Sequence, residues 1–329
     1  MFPLIRQRRL RCHASIRALV QETILTPNDF LVPLFVVEGK GVKEEIVSMP
    51  NYFSYSLDMI EKEVKELWRL GLRSVLLFAK VSDHLKDNQG KEALNPEGLM
   101  QRAIKTIKNS CPDMFVMTDV ALDPYSSYGH DGIIKNGLVS NDDTIRVLAQ
   151  MSVSHAQAGA DIIAPSDMMD GRILAIRQAL EDASFFNTGI MSYAVKYASS
   201  FYGPFRDALD SAPAQNADVP SDKKTYQMDF SNRSEAISEA IQDVKEGADI
   251  LMIKPSLCYL DIVRDIKNKV NTPLAVYQVS GEYAMLKAAA EKGWIDYNNA
   301  IIEQTTAAKR AGANIIASYF AKDIIKLIS

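Results

Sequence analysis

From residue 31 onward, short apolar runs of strand length alternate with stretches of helical periodicity, and this alternation restricts the possible folds more than any other feature. The runs are 31–37, 74–79, 114–120, 161–164, 189–195, 250–253, 274–279 and 314–319. Helical patterns occupy 57–70, 96–109, 142–158, 172–182, 233–246, 260–269, 282–292, 297–311 and 321–328. Strands separated by helices return in parallel. The run Ile250-Leu-Met-Ile253 is apolar throughout, as a strand covered on both faces requires. A closed barrel and an open doubly wound sheet both satisfy this pattern. No glycine-rich phosphate turn follows the first run, which disfavours the open sheet. A chain of 329 residues accommodates a single barrel. The predicted fold is therefore α/β, a (β/α)8 TIM barrel over residues 31–329.

Residues 1–30 lie outside this pattern. Arg6, Arg8, Arg9, Arg11 and Arg17 crowd a segment with few apolar residues, which reads plainly as a solvated basic tail. The longest break, 197–232, is irregular and rich in turn residues, and after a barrel strand such a stretch lies over the mouth as a lid. A net charge of -4 argues against nucleic acid as a partner. No apolar run approaches the ~20 residues of a membrane span, and no apolar segment behind the arginines suits a secretory signal. Cys12, Cys111 and Cys258 are too far apart for a disulfide framework or a zinc spacing, and suit a reducing cytosol.

Two lysines close strand runs. Lys196 ends Met191-Ser-Tyr-Ala-Val-Lys196, and Lys254 ends the next run, where Pro255 stops the ladder. Either lysine alone can be a strand-end residue reaching for solvent. Adjacent strands, however, lie ~4.8 Å apart, and barrel sites gather at the C-terminal mouth, so the two amines are predicted neighbours. Like charge and desolvation lower at least one of them from the ordinary ~10.4. A free amine at neutral pH attacks a ketone and forms a Schiff base.

The stretch Gly247-Ala-Asp249-Ile-Leu-Met-Ile-Lys254-Pro255-Ser256-Leu-Cys-Tyr259 resembles the active-site signature of the porphobilinogen synthase (5-aminolevulinate dehydratase) family. Similarity runs from about Pro33 to Tyr319, nearly the whole chain. The resemblance implies a hydro-lyase of tetrapyrrole biosynthesis that condenses two 5-aminolevulinate molecules to porphobilinogen. It implies Schiff bases on both lysines, Lys254 for the propionate-side substrate and Lys196 for the acetate-side one. Arg206, Lys223 and Gln227 match the acetate-side carboxylate clamp. The family more often has arginine where Lys223 stands, and a lysine cannot make the bidentate contact. Ser280 and Tyr319 match the propionate-side donors, and Asp119 is the best candidate for an acid/base or a partner of the substrate ammonium. The resemblance also implies that residues 1–30 form an arm wrapping a neighbouring subunit of a homo-octamer, which would account for Phe2, Leu4, Ile5 and Leu10 among the charges. The expected location is cytoplasmic.

Zinc-dependent relatives place three cysteines in the loop after the third strand; here those positions read Ala121, Asp123 and Asp131. With no thiolate, a tetrahedral zinc–sulfur site is not expected. The two aspartates suit a hard cation or, more plainly, turn positions on a solvated loop; His130 is a minor candidate ligand. Glu239 matches a glutamate that holds an allosteric Mg2+ through waters at a subunit boundary in magnesium-stimulated members, with Asp170 as an outer partner. Two other readings compete: an aldolase-like lyase, which needs one iminium, and a non-catalytic barrel, which needs neither lysine.

Overall fold

The computed structural model describes residues 1–214 and 219–328. Eight parallel strands form a closed barrel: β1 (Phe30–Val36), β2 (Ser74–Ala79), β3 (Phe115–Val120), β4 (Ile162–Pro165), β5 (Gly189–Lys196), β6 (Ile250–Lys254), β7 (Leu274–Gln278) and β8 (Ile315–Ser318). They neighbour one another in chain order, and β8 closes onto β1 through Phe30↔Ile316 and Leu31↔Ala317. Every residue of β1 is buried. Such a strand needs packed side chains inside the barrel and helices outside it. The helix Leu57–Arg69 shows how the outer ring meets this need, turning Ile60, Val64 and Leu67 inward at helical spacing.

Predicted and observed barrel strands agree within a residue or two at each end. The differences are short elements whose few residues carry no readable period. Lys43–Glu45 pairs antiparallel with Phe53–Tyr55, which extends the sheet beside β1. Ile134–Lys135 and Leu138–Val139 form a second small hairpin. The stretch 197–232, expected to be irregular, contains the helix Gly203–Leu209, with a proline in its first turn. Its residues 215–218 lie outside the described residues. Near the N-terminus, the helix Ala14–Leu19 is followed by chain without regular secondary structure, and Phe2, Leu4, Ile5 and Leu10 are 75%, 71%, 61% and 50% exposed. Among the described residues, no helix is long and apolar enough to cross a membrane.

One irregularity in the barrel sets the positions of the two strand-end lysines. Between β5 and β6 the register runs Leu251↔Ser192, then Ile253↔Val195 and Lys254↔Lys196. One extra residue on β5 is absorbed as a bulge. Without it, Lys254 would stand beside Val195, and Lys196 would turn to the opposite face.

Candidate active site

Lys254 and Lys196 end adjacent strands side by side, 5% and 6% exposed. Their surroundings differ. Lys254 Nζ is enclosed by the rings of Tyr277 (4.7 Å), Phe205 (4.8 Å), Tyr202 (5.0 Å) and Tyr193 (5.3 Å). Burial, and secondarily the charge of Lys196, pushes its amine down to about 7. The like charge predicted from sequence is therefore real but ranks behind desolvation. Lys196 Nζ donates to Asp131 Oδ2 at 2.9 Å and to the Ser166 carbonyl.

The aspartate loop corrects the sequence reading. Asp123 and Asp131 are buried, not solvated turn residues. Lys223 Nζ donates to Asp131 Oδ1 at 2.5 Å and to Asp123 Oδ2 at 3.2 Å. Burial opposes the charged form of Asp131, but Lys196 and Lys223 outweigh it and hold the carboxyl well below the usual range. Lys223, expected to clamp a substrate carboxylate, is thus held by two carboxylates of the chain itself. Asp119 adjoins this cluster; burial first, then Asp123, pushes it up to about 7. One of its oxygens is buried without a partner. His130 has both ring nitrogens engaged: Nε2 donates to the Pro220 carbonyl at 2.8 Å, and Nδ1 lies 3.0 Å from the Tyr226 hydroxyl. It anchors the 220–226 stretch to the loop instead of offering a metal ligand.

The segment 199–214 closes over the lysines through two backbone contacts that only glycine permits. A Cβ on Gly281 would lie 2.5 Å from the Phe201 carbonyl oxygen, and one on Gly129 would lie 2.1 Å from that of Ala212. Ser280 accepts from the Phe205 N–H at 2.9 Å. The Tyr319 hydroxyl lies 2.9 Å from that of Tyr277, whose ring faces Lys254. Both predicted propionate-side donors are therefore near Lys254 but occupied within the protein. Arg206, Lys223 and Gln227, the residues expected to clamp an acetate-side carboxylate, line one small cavity with Asp123, Lys196, Lys254 and Ser211. At ≈ 20 Å³ it has room for about one water, so a five-carbon substrate enters only if the covering segment moves.

Sequence reasoning missed the ring box and Glu282. This glutamate is 1% exposed and accepts from the N–H groups of Val279 and Leu257, joining the turn after Lys254 to the start of the helix Ser280–Glu291. Val279 has no side-chain oxygen, so the Ser/Thr-x-x-Glu signature of a helix start is missing, and nothing local signals the reach to Leu257.

Glu239 lies elsewhere, on the helix Ser234–Glu246. With Asp170, Glu235 and Asn141 it lines a cavity of ≈ 430 Å³. Burial first, then Asp243, raises its carboxyl above the ordinary value. Among the described residues no three His, Cys, Asp or Glu side chains converge on one point.

A model of the family described as delta-aminolevulinic acid dehydratase matches residues 4–327. The delta-aminolevulinic acid dehydratase of Bacillus subtilis is 50% identical over 324 residues, covering 98% of each chain. The chloroplastic protein of that name from Chlamydomonas reinhardtii is 49% identical, covering 98% of this chain and 84% of its own. The crystal structure of the Toxoplasma gondii delta-aminolevulinic acid dehydratase (porphobilinogen synthase), in complex with the reaction product porphobilinogen, superposes with a TM-score of 0.95 at 47% identity, covering 98% of this chain and 91% of that one.

Proposed function

Because this chain belongs to the delta-aminolevulinic acid dehydratase (porphobilinogen synthase) family, we propose a division of labour among its own residues for that family's reaction. The enzyme condenses two molecules of 5-aminolevulinate to porphobilinogen, with loss of two waters, in tetrapyrrole biosynthesis. The observation that carries the assignment is the register pairing of Lys196 with Lys254, with the Lys254 amine poised near neutrality.

Lys254 attacks the ketone of the propionate-side substrate and expels water to give an iminium. The surrounding ring faces favour this broad, weakly hydrated cation, while burial disfavours the compact ammonium. Lys196 does the same for the acetate-side substrate after giving up its proton, which releases the second water. Loss of a carbon-bound proton turns one iminium into an enamine. Attack on the other iminium carbon forms the C–C bond and leaves that carbon joined to its lysine by a single C–N bond. Loss of a proton from the neighbouring carbon then expels that lysine as a free amine and leaves a C=C bond. The amine of one substrate adds to the carbon still held as an iminium on the other lysine. That lysine leaves as the C–N bond is completed, and loss of a last carbon-bound proton gives the aromatic pyrrole. The two kinds of carboxyl suit different tasks. Asp119, near neutrality, exchanges protons. Asp131, strongly ionised, holds cations. Arg206, Lys223 and Gln227 receive the acetate-side carboxylate, and Ser280 and Tyr319 the propionate-side one, once the lid over 197–232 lifts and these groups change partners.

The family is metal-dependent in general. Glu239 and Asp170 share a polar cavity roomy enough for a hydrated ion, and Mg2+ takes only one or two carboxylates and keeps several waters. Its charge would relieve the raised Glu239 carboxyl. The residues at the loop do not fit zinc, since 121, 123 and 131 supply no thiolate and both aspartates are paired with lysines. Asp243, one turn beyond Glu239, pairs with Arg172 at 3.2 Å. Arg172 lies 3.7 Å from Asp167, which follows the Ser166 carbonyl that receives Lys196. This chain of contacts gives the metal cavity a route to the chemistry. The exposed apolar residues of 1–30 support an arm docked on a neighbouring copy, within a homo-octamer. The three free cysteines fit a cytoplasmic protein.

Colorimetric pyrrole formation from 5-aminolevulinate tests the reading. The protein should produce porphobilinogen and Lys254→Ala should produce none; near-normal activity in that variant would overturn the assignment.

A further inference from the structure

The cavity beside Lys196 has one polar lining residue that neither the strand-end pattern nor the carboxylate clamp accounts for. Ser211 follows the helix Gly203–Leu209 by two residues and is fully buried. Ser211 lines the cavity, and its hydroxyl oxygen is buried with no hydrogen-bond partner among the described residues. The side chain is not needed for the local turn, because the Ser211 backbone N–H makes that bond, donating to the Arg206 carbonyl at 3.2 Å. Its place is fixed from outside: three residues on, the Ala214 N–H donates to the Tyr128 carbonyl at 2.9 Å, and Ala212 lies against Gly129 with no room for a side chain between them. A hydroxyl held rigidly in a buried site with nothing to bond is expected to have a ligand to satisfy it. Gln227, a second lining residue, has its Oε1 buried without a partner among the described residues.

The chemistry of the lining selects the ligand group. Arg206 brings a cation to the cavity lining that includes Ser211, and Lys223 brings a second that it shares with Asp123 and Asp131 until these partners change. A hydroxyl beside cations completes a carboxylate site by donating a hydrogen bond. We propose that Ser211 is a further substrate-binding residue, its hydroxyl donating to the carboxylate of the molecule held as a Schiff base on Lys196. The assignment rests on the acetate-side role proposed for Lys196. Ser211 then helps the acetate-side pocket hold a keto acid, alongside Arg206, Lys223 and Gln227. Lys254 lines the same cavity, so the proposal gives Ser211 to the Lys196-bound molecule and not to the one on Lys254.

The test uses levulinate, which keeps the ketone and carboxylate of the substrate and lacks its amine, and levulinate methyl ester, which lacks the charge. Full-length protein and Ser211→Ala are incubated over a range of each probe and reduced with borohydride. The adducts on the Lys196 and Lys254 peptides are quantified separately by mass spectrometry. Loss of one hydrogen bond to a charged acceptor should raise the levulinate concentration that half-saturates the Lys196 adduct about tenfold. The Lys254 adduct in the same sample should be unmoved, and so should ester labelling at Lys196. An unchanged Lys196 curve overturns the proposal. So does an equal shift at both lysines, which would mean that Ser211 acts through the fold of the covering segment. An equal shift for ester and acid would overturn the carboxylate assignment. If the unaltered protein forms no Lys196 adduct, the role given to Lys196 fails first and takes the Ser211 proposal with it.

Discussion

Replacing Asp131 with asparagine tests the buried ion cluster most directly. Asp131 is fully buried and accepts from Lys223 at 2.5 Å and Lys196 at 2.9 Å. In Asp131→Asn the side chain keeps its size and loses its charge. The two buried lysines are then left with Asp123, 3.2 Å from Lys223, as the remaining carboxylate of the cluster. Removing one member of a buried charge pair costs about 3–5 kcal/mol. With an unfolding entropy of ~2.1 cal/mol/K per residue over 329 residues, this amounts to a Tm lowered by about 4–7 °C at fixed protein concentration. The pH dependence has a definite sign. The Asp131 carboxyl is held low in the folded protein. Its contribution is therefore complete above the unfolded value of ~3.9 and vanishes only as pH falls through the lower folded value. Between pH 5 and 7 the deficit of the variant should be constant. Lys223, held above its ordinary value in the native site against desolvation, by Asp123 and Asp131, keeps Asp123 in the variant but loses the support of Asp131, so desolvation weighs more. As pH rises toward ~10 the folded variant can shed this proton before the unfolded chain does, so the deficit should shrink. Circular-dichroism melts of both proteins from pH 5 to 10 measure this. A variant within about 0.5 kcal/mol of the parent throughout, the range of ordinary surface substitutions, would refute the buried cluster and restore the solvated turn.

Three further outcomes are expected. Borohydride trapping of substrate on Lys254 should weaken as pH falls through about 7, because protonation removes the nucleophile; a rate flat down to pH 5.5 would contradict the lowered amine. Mg2+ should raise turnover of chelator-stripped enzyme without being essential, and Glu239→Ala should abolish both that stimulation and calorimetric Mg2+ binding; an identical titration in the two proteins would make Glu239 a mere helix-surface residue. Deleting residues 1–25 should give smaller particles by sedimentation, with unchanged size dismissing the arm.

Much of this protein was decided by its sequence. Local periodicity of apolar residues specifies eight strands and their helices, because each element needs only its own neighbours in the chain to define which face is buried. The two strand-end lysines, the cysteine-free loop and the conspicuous stretch around Lys254 are equally local. What tertiary structure alone decided is how distant pieces meet. The bulge on β5 brings Lys196 level with Lys254, and nothing in Met191–Lys196 announces an extra residue. Lys223 meets aspartates 92 and 100 residues away, turning a predicted solvated loop into a buried ion cluster. Four rings from two strands and the covering segment close around one amine, and Ser211 is singled out only by the cavity it faces. Patterns within a strand or helix are written by neighbouring residues, whereas strand register, ion-pair choice and the polarity of a pocket depend on which far segments the closed barrel brings together.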